Sequence, residues 1–97
     1  MKVKPAVSGG GAHIKLADLA IGAVARVVAV SSADAATPEM GRRLAELGFL
    51  PGEAVRVVAR GALAREPIAV RVGTGTFALR LLEAACIHVV PEPPLPA

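Results

Sequence analysis

The stretch from Thr37 to Gly52, Thr-Pro-Glu-Met-Gly-Arg-Arg-Leu-Ala-Glu-Leu-Gly-Phe-Leu-Pro-Gly, dictates more backbone geometry than any other part of this chain. Its first eleven residues, 37–47, read as a helix. Thr37 can cap the first turn, and Pro38 suits the first helical position, where the missing N–H would have no intrahelical partner. Met40, Leu44 and Leu47 recur at i, i+4 and i+7 and form one apolar stripe. Glu39 and Arg43 stand in the favourable i, i+4 order, and Gly41 is a weak point in the helix interior. The stop is sharp. Gly48 falls where a left-handed residue ends a helix, with Phe49 and Leu44 as the apolar pair that closes a Schellman ending. Pro51-Gly52 then fits the centre of a type II turn.

The rest of the chain reads as short strands. Residues 23–30 are Val-rich, and the adjacent Val27 and Val28 break the in/out parity in a way that a β-bulge would reconcile. In the second strand Val55, Val57 and Ala59 oppose Arg56, Val58 and Arg60. The third sets Ile68, Val70 and Val72 against Ala69 and Arg71. The fourth sets Phe77, Leu79 and Leu81 against Ala78 and Arg80. The fifth sets Ile87 and Val89 against Cys86, His88 and Val90. Gly73-Thr74-Gly75 supplies hairpin chemistry between the third and fourth. Gly61 to Pro67 forms a longer loop, and Leu16–Leu19 a short helical turn. Parallel pairing would need a helix-length crossover after each strand, and only one helix is available. The pattern therefore predicts a mainly β fold, a small barrel or sandwich of five strands with one α-helix between the first and second strands.

With 97 residues and one such core, the chain is a single domain. Three parts are expected: a flexible, Gly-rich N-terminal tail over 1–14, a folded body over 15–91, and a proline-rich tail over 92–97. The core must be aliphatic, because Phe49 and Phe77 are the only aromatic residues. The same scarcity argues against a single-strand nucleic-acid surface, which stacks bases on aromatic side chains. The net charge of +3 is spread over single arginines, apart from Arg42-Arg43. No run approaches the roughly 18 apolar residues of a membrane span. Lys2 and Lys4 followed by Leu16–Val30 and Ala33-Asp34-Ala35 imitate a signal peptide, but Lys15, Asp18 and Arg26 interrupt the pattern. A single cysteine, Cys86, fits a reducing compartment.

No catalytic set is legible. The serines have no histidine near them in sequence, and no glycine run is followed by the Lys-Ser/Thr of a phosphate loop. Cys86 and His88 alternate on one predicted strand, and His13 could join only from the tail, too few ligands for a metal centre. The chain is therefore read as a binding module, not an enzyme, with no cofactor and no resident metal. Leu50, Leu81 and Leu82 are apolar residues that would mark a protein contact if exposed together.

Arg42-Arg43-Leu44-Ala45-Glu46-Leu47-Gly48-Phe49-Leu50-Pro51-Gly52, the strand at 54–60 and the segment 66–90 together resemble the FeoA family of bacterial ferrous-iron uptake. The resemblance covers about residues 15–91 and implies an SH3-like barrel. It also implies a cytoplasmic accessory that docks on FeoB, the membrane transporter with a GTP-binding domain. The expected contact surface is the helix and its exit: Arg42, Arg43, Leu44, Leu47, Phe49 and Leu50. The alternative is a metal-responsive regulatory module, because metal-dependent repressors carry similar SH3-like domains. A basic nucleic-acid module and self-association through strand edges are further alternatives.

Overall fold

The computed structural model describes residues 13–31, 38–62 and 66–92. Strand β1 (Ile14–Lys15) leads into a 3-10 turn at Leu16–Asp18, then strand β2 (Val24–Val30) and helix α1 (Pro38–Leu47). Strands β3 (Ala54–Arg60), β4 (Ile68–Val72) and β5 (Gly75–Leu79) follow, then a short helix α2 (Leu81–Ala85) and strand β6 (Ile87–Pro91). All pairings are antiparallel, in the order β1-β6-β2-β3-β4-β5. The mainly β class agrees with the sequence, whereas α1 lies between the second and third strands rather than the first and second, and a second short helix is present.

The strand count also differs. Ile14 and Lys15 pair with Val89 and His88, so the sheet has six strands and the expected tail gives up its last residue to β1. The fourth predicted strand is displaced: β5 begins at Gly75, and the run expected to continue through Leu81 turns into α2. The reason is non-local. The backbone N–H of Leu81 donates to Glu66 Oε2 at 2.7 Å, and that of Arg80 donates to Glu83 Oε1 at 2.8 Å. Two carboxylates thus satisfy the N–H groups that a helix start leaves without partners. Cys86, expected on a strand, caps the end of that helix. Its Sγ lies 3.3 Å from the Leu82 carbonyl and 3.8 Å from Met40 Sδ, and it is fully buried.

Two bulges set the parity of the sheet. Register slips between Val27 and Ala29 where β2 meets β6, as the adjacent valines require. A second slip, between Val57 and Ala59 where β3 meets β4, turns Ala59 outward. Arg60, expected outside, is half-buried. Its Nη2 donates to the carbonyls of Ala17 and Leu19, each at 2.7 Å, and ties β3 to the 3-10 turn. The core is aliphatic, with Leu16, Leu44, Val55, Val57, Ile68, Val70, Leu79, Ile87 and Val89 all essentially sealed from solvent around Phe49. Burying such a side chain contributes about 1.5–3 kcal/mol.

Candidate surface at the helix exit

The predicted Schellman ending is present in full. The Phe49 N–H donates to the Leu44 carbonyl at 3.1 Å and the Gly48 N–H to the Ala45 carbonyl at 3.0 Å, with Gly48 at φ 116°. Leu50 and Glu53 close the next turn through a 3.0 Å backbone bond, and Gly52 sits at φ 92°, as a Pro-Gly type II turn requires. That turn is pinned to β2. Gly52 N–H donates to Val27 O at 2.8 Å, Val27 N–H to Glu53 O at 2.9 Å, and Arg26 Nη1 to Gly52 O at 3.0 Å. The exit is thus a rigid corner. Thr37, the expected cap at the other end of α1, lies outside the described residues.

This corner sorts the expected contact residues into two groups. Leu44 and Phe49 are buried in the core and cannot touch a partner; they hold the corner in place. Arg42 is exposed, Leu47 is half-buried, and Leu50 leaves 48% of its surface in solvent beside the turn. Arg43 is committed elsewhere: its Nη1 donates to Glu83 Oε2 at 3.1 Å, joining α1 to α2, and the expected Glu39–Arg43 pair is not formed. Glu83 is nearly buried and serves both Arg43 and the start of α2. Of the three leucines read as a patch, Leu50 and Leu82 are exposed, whereas Leu81 packs against the core.

Leu47, Gly48 and Leu50 form one wall of a groove of about 350 Å³ whose other wall is the hairpin from Val72 to Phe77. Phe77 is half-buried, and its ring meets that of Phe49 edge-on at 6.4 Å between centroids. Gly75 makes room for it, because a Cβ there would lie 2.9 Å from the ring. A floor of leucine, glycine, valine and phenylalanine with one carboxylate, Glu53, at its rim suits an apolar side chain from a partner. The sequence reading did not include Phe77 and the hairpin in this surface. Nothing local to residues 72–77 announces that they face the helix exit.

Among the described residues, no three His, Cys, Asp or Glu side chains converge as metal ligands. The expectation that Cys86 and His88 share a strand face is overturned by the place of Cys86 in the α2 cap. No helix of the described residues is long and apolar enough to cross a membrane.

Comparison with known proteins follows the same lines. The FeoA domain family matches residues 14–91. FeoA of Stenotrophomonas maltophilia, solved with zinc and described as an SH3 domain protein, shares 42% identity; the match has a TM-score of 0.70 and covers 78% of this chain and 88% of that one. FeoA of Chlorobium tepidum shares 35% identity at a TM-score of 0.68, covering 80% and 70%. A manganese-dependent transcriptional repressor matches at 28% identity and a TM-score of 0.72 over 84% of this chain, which spans 42% of the repressor. Comparison with curated protein sequences gives no match. With its helix-exit corner intact and the family's domain covering residues 14–91, this chain belongs to the FeoA family, the SH3-like proteins associated with ferrous iron transport.

Proposed function

We propose that the chain is a non-enzymatic accessory of ferrous iron uptake that acts in the cytoplasm by docking on FeoB. The observation that carries this reading is the exposed Leu50 beside a groove built on a rigid corner. Leu50 and the apolar lining of the groove beside it are contiguous, and contiguous apolar exposure is the kind that marks a protein contact. Arg42, Leu47 and Leu50 are the contact residues of the proposal, with Arg43, Leu44 and Phe49 holding them in position. The zinc-bound Stenotrophomonas relative is described as a candidate activating factor of bacterial ferrous iron transport, which supports the same role. Such an effect requires that the accessory bind one state of the transporter more tightly than another.

The test is binding of the purified chain to the cytoplasmic domain of FeoB, with Arg42→Glu and Leu50→Asp as variants. Both side chains are exposed, so the variants stay folded. Each is expected to weaken binding, and the pair to abolish it. Unchanged binding by the folded double variant would overturn the proposal.

A second reading, a metal-responsive regulatory module, draws on the likeness to the manganese-dependent repressor. It is separable from the first by titration with manganese(II) and zinc(II). Saturable binding that changes the affinity for FeoB or DNA would favour it.

A further inference from the structure

The outer face of the sheet carries a second surface that the helix exit does not explain. In the register of β3 and β4, Arg56 stands directly opposite Arg71. The row continues to Val24 on β2 and to Thr76 on β5, so the two guanidinium groups occupy its centre; the carboxylate that follows Val24 in the row, Glu92, is paired with Arg26. Both arginines are exposed, and among the described residues neither makes an ion pair or a side-chain hydrogen bond. Ala54 and Gly73 beside them, and Ala69 and Ala78 further along the same face, are small, while Val24, the exposed Val58 and the Arg26–Glu92 pair border the patch. A shallow cavity of about 230 Å³ lies between Val24, Ala54, Arg56, Arg71 and Gly73.

Like charges directly opposed across two strands destabilise a sheet. A sequence that only needed a solvated face could place an acid at either position and gain a cross-strand pair instead. Two arginine forks side by side match the geometry of carboxylates, each able to accept two parallel N–H bonds. The small residues around them leave the sheet surface open to an extended backbone. We propose that Arg56 and Arg71, with the cavity beside them, recognise the carboxylates of an extended acidic segment of a partner protein. A nucleic acid is disfavoured because two cations with no aromatic neighbour offer neither a phosphate track nor a stacking platform. The proposal rests on the reading of the chain as a docking module, but on a different set of residues from Arg42, Leu47 and Leu50.

The experiment is a titration of the isotope-labelled full chain, followed by NMR, with an acetylated Glu-Asp-Leu-Glu-Asp amide. The Gln-Asn-Leu-Gln-Asn counterpart and a short thymidine oligonucleotide serve as comparators. The acidic peptide is expected to shift the amides of residues 54–57 and 70–73, and the neutral one to leave them in place. The double variant Arg56→Gln, Arg71→Gln is expected to weaken the acidic peptide by about tenfold or more, since each lost charge-assisted fork removes a strong contact. Arg71→Glu is expected to raise the unfolding temperature by pairing with Arg56 while abolishing peptide binding, a combination that no loss of folding can produce. Equal shifts from the neutral peptide, undiminished binding by the double variant, or tighter binding of the oligonucleotide at the same residues would overturn the proposal. Arg42→Glu and Leu50→Asp leave this face intact and are expected to bind the peptide normally, so failure here and failure of docking at the helix exit are separate results.

Discussion

At Gly61 the chain passes so close to the backbone of Glu66 and Pro67 that a Cβ would overlap the Glu66 carbonyl. The Gly61 N–H also donates to the Pro67 carbonyl at 2.8 Å, closing the loop at its base. Gly61→Ala must push the two backbones apart and disturb Glu66, whose carboxylate caps Leu81. A loss of about 1–3 kcal/mol is expected, the usual cost of forcing atoms into a filled space. Gly41 is the reverse case. It lies inside α1, and a Cβ there would meet only Val30 Cγ1 at 3.9 Å, an ordinary contact. Gly41→Ala is expected to stabilise the chain by about 0.5–1 kcal/mol through helix propensity. Urea unfolding of the two variants checks both signs. The weakness of Gly41 was readable from its place in the helical stretch. The need for glycine at 61 was not, because the atoms that exclude a side chain belong to a segment five residues on.

Local elements were legible where their determinants are local. The Leu44–Gly48–Phe49 ending and the Pro51-Gly52 turn need only residues adjacent in sequence, and both formed as read. Helix α2 was not legible, because five residues carry no periodicity and one of its caps comes from Glu66, fifteen positions earlier. For the same reason the inward turn of Arg60 escaped the alternation rule: a bulge reverses the parity, and its carbonyl partners lie on the 3-10 turn. At the candidate surface, residue types alone leave open whether Leu50 is core or exposed, and the i, i+4 spacing points Arg43 at Glu39, whereas it pairs with Glu83. The Glu83 carboxylate is therefore the joint between the two helices. Glu83→Ala should remove both the cap at Arg80 and the anchor for Arg43, at about 1–2 kcal/mol. Glu83→Gln keeps an oxygen for the Arg80 N–H and loses only the ion pair, so its cost is expected to be clearly smaller. Equal losses in chemical denaturation would show that the charge, and not the cap, holds α2.

For the whole molecule, the question is how to separate docking from folding in a domain this small. A chain of this length is held by roughly 5–10 kcal/mol in total. Leu44 lies at the centre of the core, and truncating it leaves a cavity that the rigid corner cannot close. Leu44→Ala is expected to remove about 2–5 kcal/mol, a large share of the whole. Such a variant would lose the proposed FeoB binding because part of the population is unfolded, and Leu44→Gln would do so more severely by burying an amide. Arg43→Glu is confounded as well, since it sets a second carboxylate against Glu83. Leu50→Asp and Arg42→Glu change residues that solvent already reaches, and surface changes of that kind shift stability by about 0.5 kcal/mol or less. The expected pattern is therefore crossed. Leu44→Ala lowers the urea midpoint and regains FeoB binding when osmolyte restores the fold. Leu50→Asp keeps the midpoint and stays unable to bind under the same osmolyte. If both variants were rescued together, the exposed leucine would be acting through the fold rather than through contact.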